Sequence, residues 1–488
     1  MRNLYAEQVP EALLTAERLV RRFARDTNLL VAGRTFDVIG EGEIPDELRG
    51  VLLRLGARLG GGAVTFVPGA ERDLLLDGAP FPARENADDR IDFAGEHMPV
   101  SRGIAATLRD AGAVRGVRIG IAMVLEPKTA QLALLLRDAG AAVAVYAHPD
   151  EIDVQVAAAL RARGIPVDGD TALSGVAERE AALAFLRRGH DLLLDDGSHV
   201  IRLAHEADVL ADLRGAAEET TSGLTPLRRM EAEGALRIPV IAVNDAPMKT
   251  AFDNRYGTGQ SCVFAIADVL DAAGIGLRDQ PAVVVGYGPV GEGVAAHLRA
   301  LGAAVAVTET DPVRALRAAH DGYATGLLRD LAPGALVVSA TGVPHTIDAE
   351  TLRAARIVAV AGGVPEEVDL DVAGLQPVSH AGSVLPHLDR VGDGALLVAR
   401  GGCVNLAAAE GNPIEIMDLS FAVQLSAVAQ LLGAPLPAGV HPFPDDADEA
   451  VARAALAARG EAVEVRSAAQ QRAQHDWRSP RYRQEGIA

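Results

Sequence analysis

The run Pro281-Ala282-Val283-Val284-Val285, continuing into Gly286-Tyr287-Gly288-Pro289-Val290-Gly291, constrains the fold of this 488-residue chain more than any other segment. Apolar residues without polar alternation read as a strand buried on both faces, which belongs in a parallel sheet covered by helices. The glycines permit a tight turn, close approach of backbone to ligand and close helix–strand contact. A helix to Leu301 and a second strand, Ala304-Val305-Ala306-Val307-Thr308, complete a βαβ unit, and Glu309 closes it 21 residues after Gly288. A pyrophosphate would sit on the free N–H groups of the helix start and a ribose on the carboxylate. Gly286, Gly288, Val290, Gly291 and Glu309 are therefore candidate dinucleotide contacts. The negative charge of Glu309 favours NAD over NADP, although Arg314 five residues on could greet a 2′-phosphate. A glycine-rich turn in an unliganded α/β protein is the bland alternative.

The same alternation starts near residue 98. Val117 to Val124 and Ala142 to Tyr146 read as strands, Lys128 to Gly140 and Ile152 to Arg163 as helices, and Leu192-Leu193-Leu194 as a strand running into Asp195-Asp196-Gly197. Further strands are expected at Ala335 to Ser339 and Ile357 to Ala361. Strands separated by helices of this length imply parallel sheets with ligands at the carboxyl ends, where Asp195 and Asp196 fall. Residues 1–97 stand apart, with a helix from Glu11 to Ala24, a turn at Gly60-Gly61-Gly62 and a strand at Ala63 to Val67. They carry no chemistry-bearing motif and read as a packing or oligomerisation module.

Composition excludes some classes. The net charge of −20 argues against a nucleic-acid partner, because phosphate backbones need a basic face. Charged residues interrupt every apolar run before membrane-spanning length, and Met1 to Glu7 lacks the apolar core of a signal peptide. Cys262 and Cys403 fit no metal spacing, and a reducing cytoplasm is the expected compartment.

The stretch Asn244 to Gly259 places Lys249, Asp253 and Asn254 within six positions, shortly before the fingerprint. A lysine beside a carboxylate can be tuned for proton transfer. A nearby nicotinamide could then accept a hydride from the carbon whose hydroxyl the lysine deprotonates. Lys249 and Asp253 at i and i+4 are also what a surface helical ion pair requires. Asp196 before Gly197 suits a turn, and Glu219 before Thr220-Thr221 suits a helix start.

Over roughly residues 98 to 430 the chain resembles the S-adenosylhomocysteine hydrolase family. The resemblance is carried by Asp195-Asp196-Gly197, Glu218-Glu219-Thr220-Thr221-Ser222-Gly223, the stretch from Asn244, Gly286 to Gly291, Val307 to Pro312 and Val404-Asn405-Leu406. Phe252 to Ser261 and Pro413 to Phe421 look most like archaeal-type members. The resemblance implies two doubly wound Rossmann-like domains, substrate-binding at 98–255 and NAD-binding at 256–408, with 409–488 returning to the substrate domain and to oligomer contacts. It implies a bound NAD that oxidises a nucleoside 3′-hydroxyl, followed by C4′ proton abstraction, loss of the C5′ thiol, water addition and reduction. Lys249 and Asp253 match the pair at the 3′-hydroxyl, and Asp196 and Glu219 match carboxylates that hold the nucleoside. Thr220, Thr221, Ser222, Asn254, Thr341 and Asn405 match cofactor contacts. Family members are usually homo-oligomers, so a dimer or tetramer is expected. Arg478-Ser479-Pro480-Arg481-Tyr482 loosely echoes a tail that reaches a neighbouring subunit's cofactor.

Three family histidines are replaced. By alignment, Val124, Gly363 and Asn412 stand in their places, with Glu126 and Lys128 at a family threonine and glutamate. Valine and glycine transfer no protons, so Asn412 is left as a substrate contact and His199, three residues after Asp196, as a candidate relocated proton carrier. His345 is expected near the nicotinamide. Two functions compete: an NAD-dependent enzyme acting on a nucleoside hydroxyl with a divergent outcome, and an inactive NAD-binding regulator.

Overall fold

The computed structural model describes residues 10–82, 84–364, 366–370, 374–478 and 481. Met1 to Glu7, and Ser479, Pro480 and Tyr482 of the tail motif, lie outside the described residues. The continuous apolar runs form the central strands of two parallel sheets, with Leu192, Leu193, Leu194, Val283 and Val284 all buried. One sheet has the order Gly439–Pro442, Pro239–Ala242, Gly215–Glu218, Leu192–Asp195, Arg118–Ala122, Ala142–Tyr146, Val167–Asp168, every neighbouring pair parallel. The other runs Ala324–Thr325, Ala304–Thr308, Pro281–Val285, Leu336–Ser339, Ile357–Val360, Leu396–Val398, then the antiparallel strands Ser383–Val391 and Leu375–His380.

The architecture is α/β, doubly wound twice. Among the parallel strands of each sheet the order reverses once: between Arg118–Ala122 and Leu192–Asp195, and between Pro281–Val285 and Leu336–Ser339. Crossover helices leave such a point in opposite directions and open a crevice above the strand ends. The residues that follow these four strands line one cavity.

The helix Ile414–Leu432 corrects one expectation. With 19 residues and a mean hydropathy of 1.3 it is long and apolar enough to cross a membrane, although Glu415 and Asp418 interrupt it near its start. It is a core helix, 67% buried, laid against Pro99–Asp110. There Asp418 accepts from the N–H groups of Val100 (3.0 Å) and Ser101 (2.7 Å) at the other helix's first turn. The chain then returns to the first sheet's edge as Gly439–Pro442.

The amino-terminal module is a helix, Glu11–Thr27, packed on Glu43–Arg54 beside a five-stranded sheet that includes Val64–Phe66. Edge-to-face contact of Phe23 with Phe36 (5.2 Å) and Phe66 (6.2 Å) supplies its aromatic centre. Arg21 pairs with Asp268 and Asp271 on the helix Thr258–Ala272, fixing the module to the rest of the chain.

Candidate active site

The cavity holds about 910 Å³ between the two sheets. From the first sheet it takes Val124, Glu126, Glu151, Asp196, Glu219 and Thr220 to Ser222. From the second it takes Gly286, Gly288, Val290, Glu309, Thr341 and Gly363, and the linking segments add Lys249, Asp253, Asn254, Asn405 and Asn412.

Lys249 is 2% exposed, which excludes a surface ion pair. It precedes a π-helical turn, Thr250–Gly257, whose wider winding turns i+4 and i+5 to the same side. Its Nζ therefore reaches Asp253 Oδ2 at 2.9 Å and donates to Asn254 Oδ1 at 3.0 Å, with Asn244 Oδ1 at 3.4 Å. Burial works against the charge, but Asp253, Glu219 and Asp196 outweigh it and hold the ammonium above its ordinary range. Asp253 is fixed on its other side by Asn412, whose Nδ2 donates to Asp253 Oδ1 at 2.7 Å.

The strand ends supply the surrounding carboxylates. Thr220, not Glu219, caps the helix Thr221–Ala232, accepting from the N–H of Gly223 (3.3 Å). Glu219 is thus free to enter the core, where Ser420 Oγ and Gln424 Nε2 (2.6 Å) donate to it. Burial pushes its carboxyl up to about 7, against the pull of Lys249. Glu218 turns the opposite way and accepts from the N–H groups of Gly197 (3.0 Å) and Ser198 (2.9 Å), which orders the turn carrying Asp196. Asp196 is half-buried; its burial raises its pKa, with Lys249 as the main counterweight.

The glycine turn fits a dinucleotide. Gly286 has φ +93°, and a Cβ on Gly291 would lie 2.0 Å from Gly286 O, so only glycine permits this crossing of strand and helix. The helix Pro289–Ala300 has no side-chain cap, leaving its first N–H groups for an anion. Glu309 accepts from the N–H groups of Tyr287 (2.6 Å), Thr310 (2.7 Å) and Asp311 (3.0 Å). These bonds overcome burial and keep it below the usual carboxylate range, an anion where ribose hydroxyls would donate. Arg314 pairs with Asp311 at 3.7 Å.

Residues 254–411 match the model of the S-adenosyl-L-homocysteine hydrolase NAD-binding domain. An adenosylhomocysteinase of Archaeoglobus fulgidus is 37% identical over 402 residues, covering 80% of this chain and 98% of that protein. The adenosylhomocysteinase of Aeropyrum pernix is 40% identical over 385 residues (76% and 91%), and the S-inosyl-L-homocysteine hydrolase of Methanopyrus kandleri 37% over 406 (80% and 94%). The chain belongs to the S-adenosyl-L-homocysteine hydrolase family. Its cofactor is NAD.

Against that family, the remaining expected residues separate into groups. Thr220, Thr221, Ser222, Asn254, Thr341 and Asn405 all line the cavity. Val124 and Gly363 line it as well, and a Cβ on Gly363 would meet nothing within 4 Å, so the space is open where the family's imidazole is expected. Asn412 is turned toward protein partners. It also donates to Thr258 Oγ1 (3.1 Å), and its Oδ1 accepts from Asn405 Nδ2 (2.9 Å) and Ser261 Oγ (2.7 Å), so it positions Asp253.

The structure does not bring His199 into the cavity. It starts the helix His199–Glu206, its ring 5.1 Å from that of His148 and its Nδ1 3.1 Å from Arg202. Partial burial, His148 and Arg202 push it down to about 4, so it is neutral near pH 7 and carries no spare proton. His345 is exposed and paired with Asp369 at 2.5 Å. Among the described residues no histidine lines the cavity.

Several contributors escaped the sequence reading. Ser420 and Gln424 sit four apart on the largely apolar helix Ile414–Leu432, a polar pair on one face that was a usable signal. Asn28, at the left-handed end of the first helix, accepts from Lys128 Nζ (2.9 Å), which also meets Glu126 Oε2 (2.7 Å) and Glu410 O (2.8 Å). The amino-terminal module therefore braces the cavity wall. Glu151 gave no signal, because His148-Pro149-Asp150-Glu151 reads as a solvated loop.

Proposed function

We propose that this chain is an NAD-dependent enzyme that oxidises the ribose 3′-hydroxyl of a nucleoside bearing a thioether at C5′, as in S-adenosyl- or S-inosylhomocysteine. The observation that carries the reading is the buried Lys249–Asp253 pair in the same cavity as the glycine turn. NAD, when bound, supplies the acceptor for the hydride that leaves C3′. Lys249, held as an ammonium, takes the hydroxyl proton as it passes one of its own to Asp253 Oδ2. Asn412 keeps that oxygen pair turned toward the lysine, and Asn254 keeps the lysine from rotating away. Asp196 and Glu219 are the substrate clamps and add negative charge that stabilises the ammonium. Whatever follows at C4′ and C5′ uses groups other than imidazole.

The lack of a lining histidine favours one competitor, a regulator that binds NAD and a nucleoside without turnover. Absorbance of the holoenzyme with adenosine separates the two. Growth of the NADH band supports oxidation; a flat trace with adenosine, inosine and their thioethers sinks it. Thiol trapping with S-adenosylhomocysteine and S-inosylhomocysteine then reports whether elimination follows.

A further inference from the structure

The acids of the cavity differ in how fully they are already engaged. Glu126 accepts from the N–H groups of Lys128 and Thr129 and from the Lys128 ammonium. Glu219, Asp253 and Glu309 are held as described above. The Glu151 carboxyl makes no hydrogen bond and no ion pair among the described residues, yet it lines the cavity.

Backbone bonds fix the position of this residue on the cavity wall. Glu151 follows the strand Ala142–Tyr146, at the carboxyl edge of the first sheet. Its carbonyl accepts from Leu125 N–H (2.9 Å), and Leu125 O in turn accepts from Asp153 N–H (2.9 Å). This parallel bridge, Leu125 to Ile152, ties the loop to the segment carrying Val124 and Glu126. Glu151 thus stands on the wall where Val124 offers no proton.

Its electrostatic surroundings complement those of Asp196. Burial and the negative Asp196, Asp150, Asp195 and Glu178 all raise Glu151 well above the ordinary carboxylate range. Asp196 has a cation, Lys249, to favour its ionised form. Of two neighbouring carboxyls with one proton between them, the one without a cation keeps it.

We propose that Glu151 is a catalytic acid–base residue of this cavity, working with Asp196 on the carbons beyond the oxidised one. The assignment rests on the oxidation reading above. With a ketone at C3′, ionised Asp196 takes the proton from C4′. The C5′–S bond breaks, its electron pair goes to sulfur, and sulfur takes the proton of Glu151. In the return direction, ionised Glu151 takes a proton from the incoming water as its oxygen bonds to C5′. Asp196 then returns its proton to C4′, so both carboxyls end as they began.

The test compares Glu151→Gln with the wild-type holoenzyme, using S-adenosylhomocysteine with a thiol trap and, separately, adenosine in D2O. In Glu151→Gln thiol release falls by about 10²–10⁴-fold, the range for loss of one acid–base group. The NADH band with adenosine and deuterium entry at C4′ continue, because Lys249 and Asp196 carry those steps. Glu151→Asp restores part of the thiol release, which a packing role would not explain. Thiol release within threefold of wild type in Glu151→Gln overturns the assignment and leaves the oxidation reading intact. A wild-type protein whose NADH band never grows overturns that reading, and the assignment with it.

Discussion

Replacing Asp253 by asparagine tests the proposed proton path most sharply. The substitution keeps the shape but removes the charge 2.9 Å from Lys249 Nζ. An amide NH2 must then face either Lys249 or Asn412 Nδ2, and both are donors. Removing one partner of a buried ion pair costs about 3–5 kcal/mol. Glu219 and Asp196 still compensate the lysine, so the loss should lie near about 3 kcal/mol, read as a lowered thermal midpoint. Asp253 is the strongest of the charges holding the Lys249 ammonium, so the lysine becomes easier to deprotonate. If Lys249 alone took the substrate proton, Asp253→Asn would therefore oxidise adenosine at least as fast near neutral pH. If the proton passes on to Asp253, the NADH band should grow about 10²–10⁴-fold more slowly. The assay is stopped-flow absorbance on holoenzyme with confirmed NAD content. A folded, NAD-loaded Asp253→Asn that matches the wild-type rate refutes the relay.

Other consequences follow from the same geometry. Glu219 has a folded pKa of about 7 against 4.5 unfolded, so its stability contribution is complete below 4.5 and is lost as pH rises through 7. Glu219→Gln does not titrate, and Gln424 Oε1, otherwise without a partner among the described residues, can accept from the new amide once Gln424 flips. Relative to wild type, the variant should gain up to about 3 kcal/mol between pH 5 and 8, measured as a widening gap in thermal midpoints; a constant gap contradicts it. In Gly291→Ala the added Cβ, 2.0 Å from Gly286 O, forces the turn open. NAD affinity should fall about 10–100-fold by titration calorimetry, and unchanged affinity would show that the turn does not cradle the cofactor.

Much of the fold was legible because uninterrupted apolar strands such as Ala282 to Val285 carry their own signature, and the glycine turn with Glu309 at its set distance marked the cofactor crevice. The first-sheet carboxylates were legible as strand ends. The π-helical turn was not, since nothing in Thr250 to Gly257 announces winding by five, and that winding alone lets Lys249 hold Asp253 and Asn254 together. His199 read as near Asp196 by sequence distance, but the left-handed Ser198 before it turns the ring toward His148. Asn412 was legible as a cavity residue, but its hydrogen bonds to Asp253, Asn405 and Ser261 were not, because those partners lie far away in sequence or on other elements. Glu151 and Asn28 required the tertiary structure, because each acts across a sheet or module boundary that no local pattern encodes.

The most direct measurement is the ultraviolet spectrum of purified, NAD-loaded protein mixed with adenosine, run beside Lys249→Met. The account predicts growth of the NADH band in the wild type and none in the variant. A flat wild-type trace with every nucleoside and thioether tried, or equal growth in Lys249→Met, would contradict it.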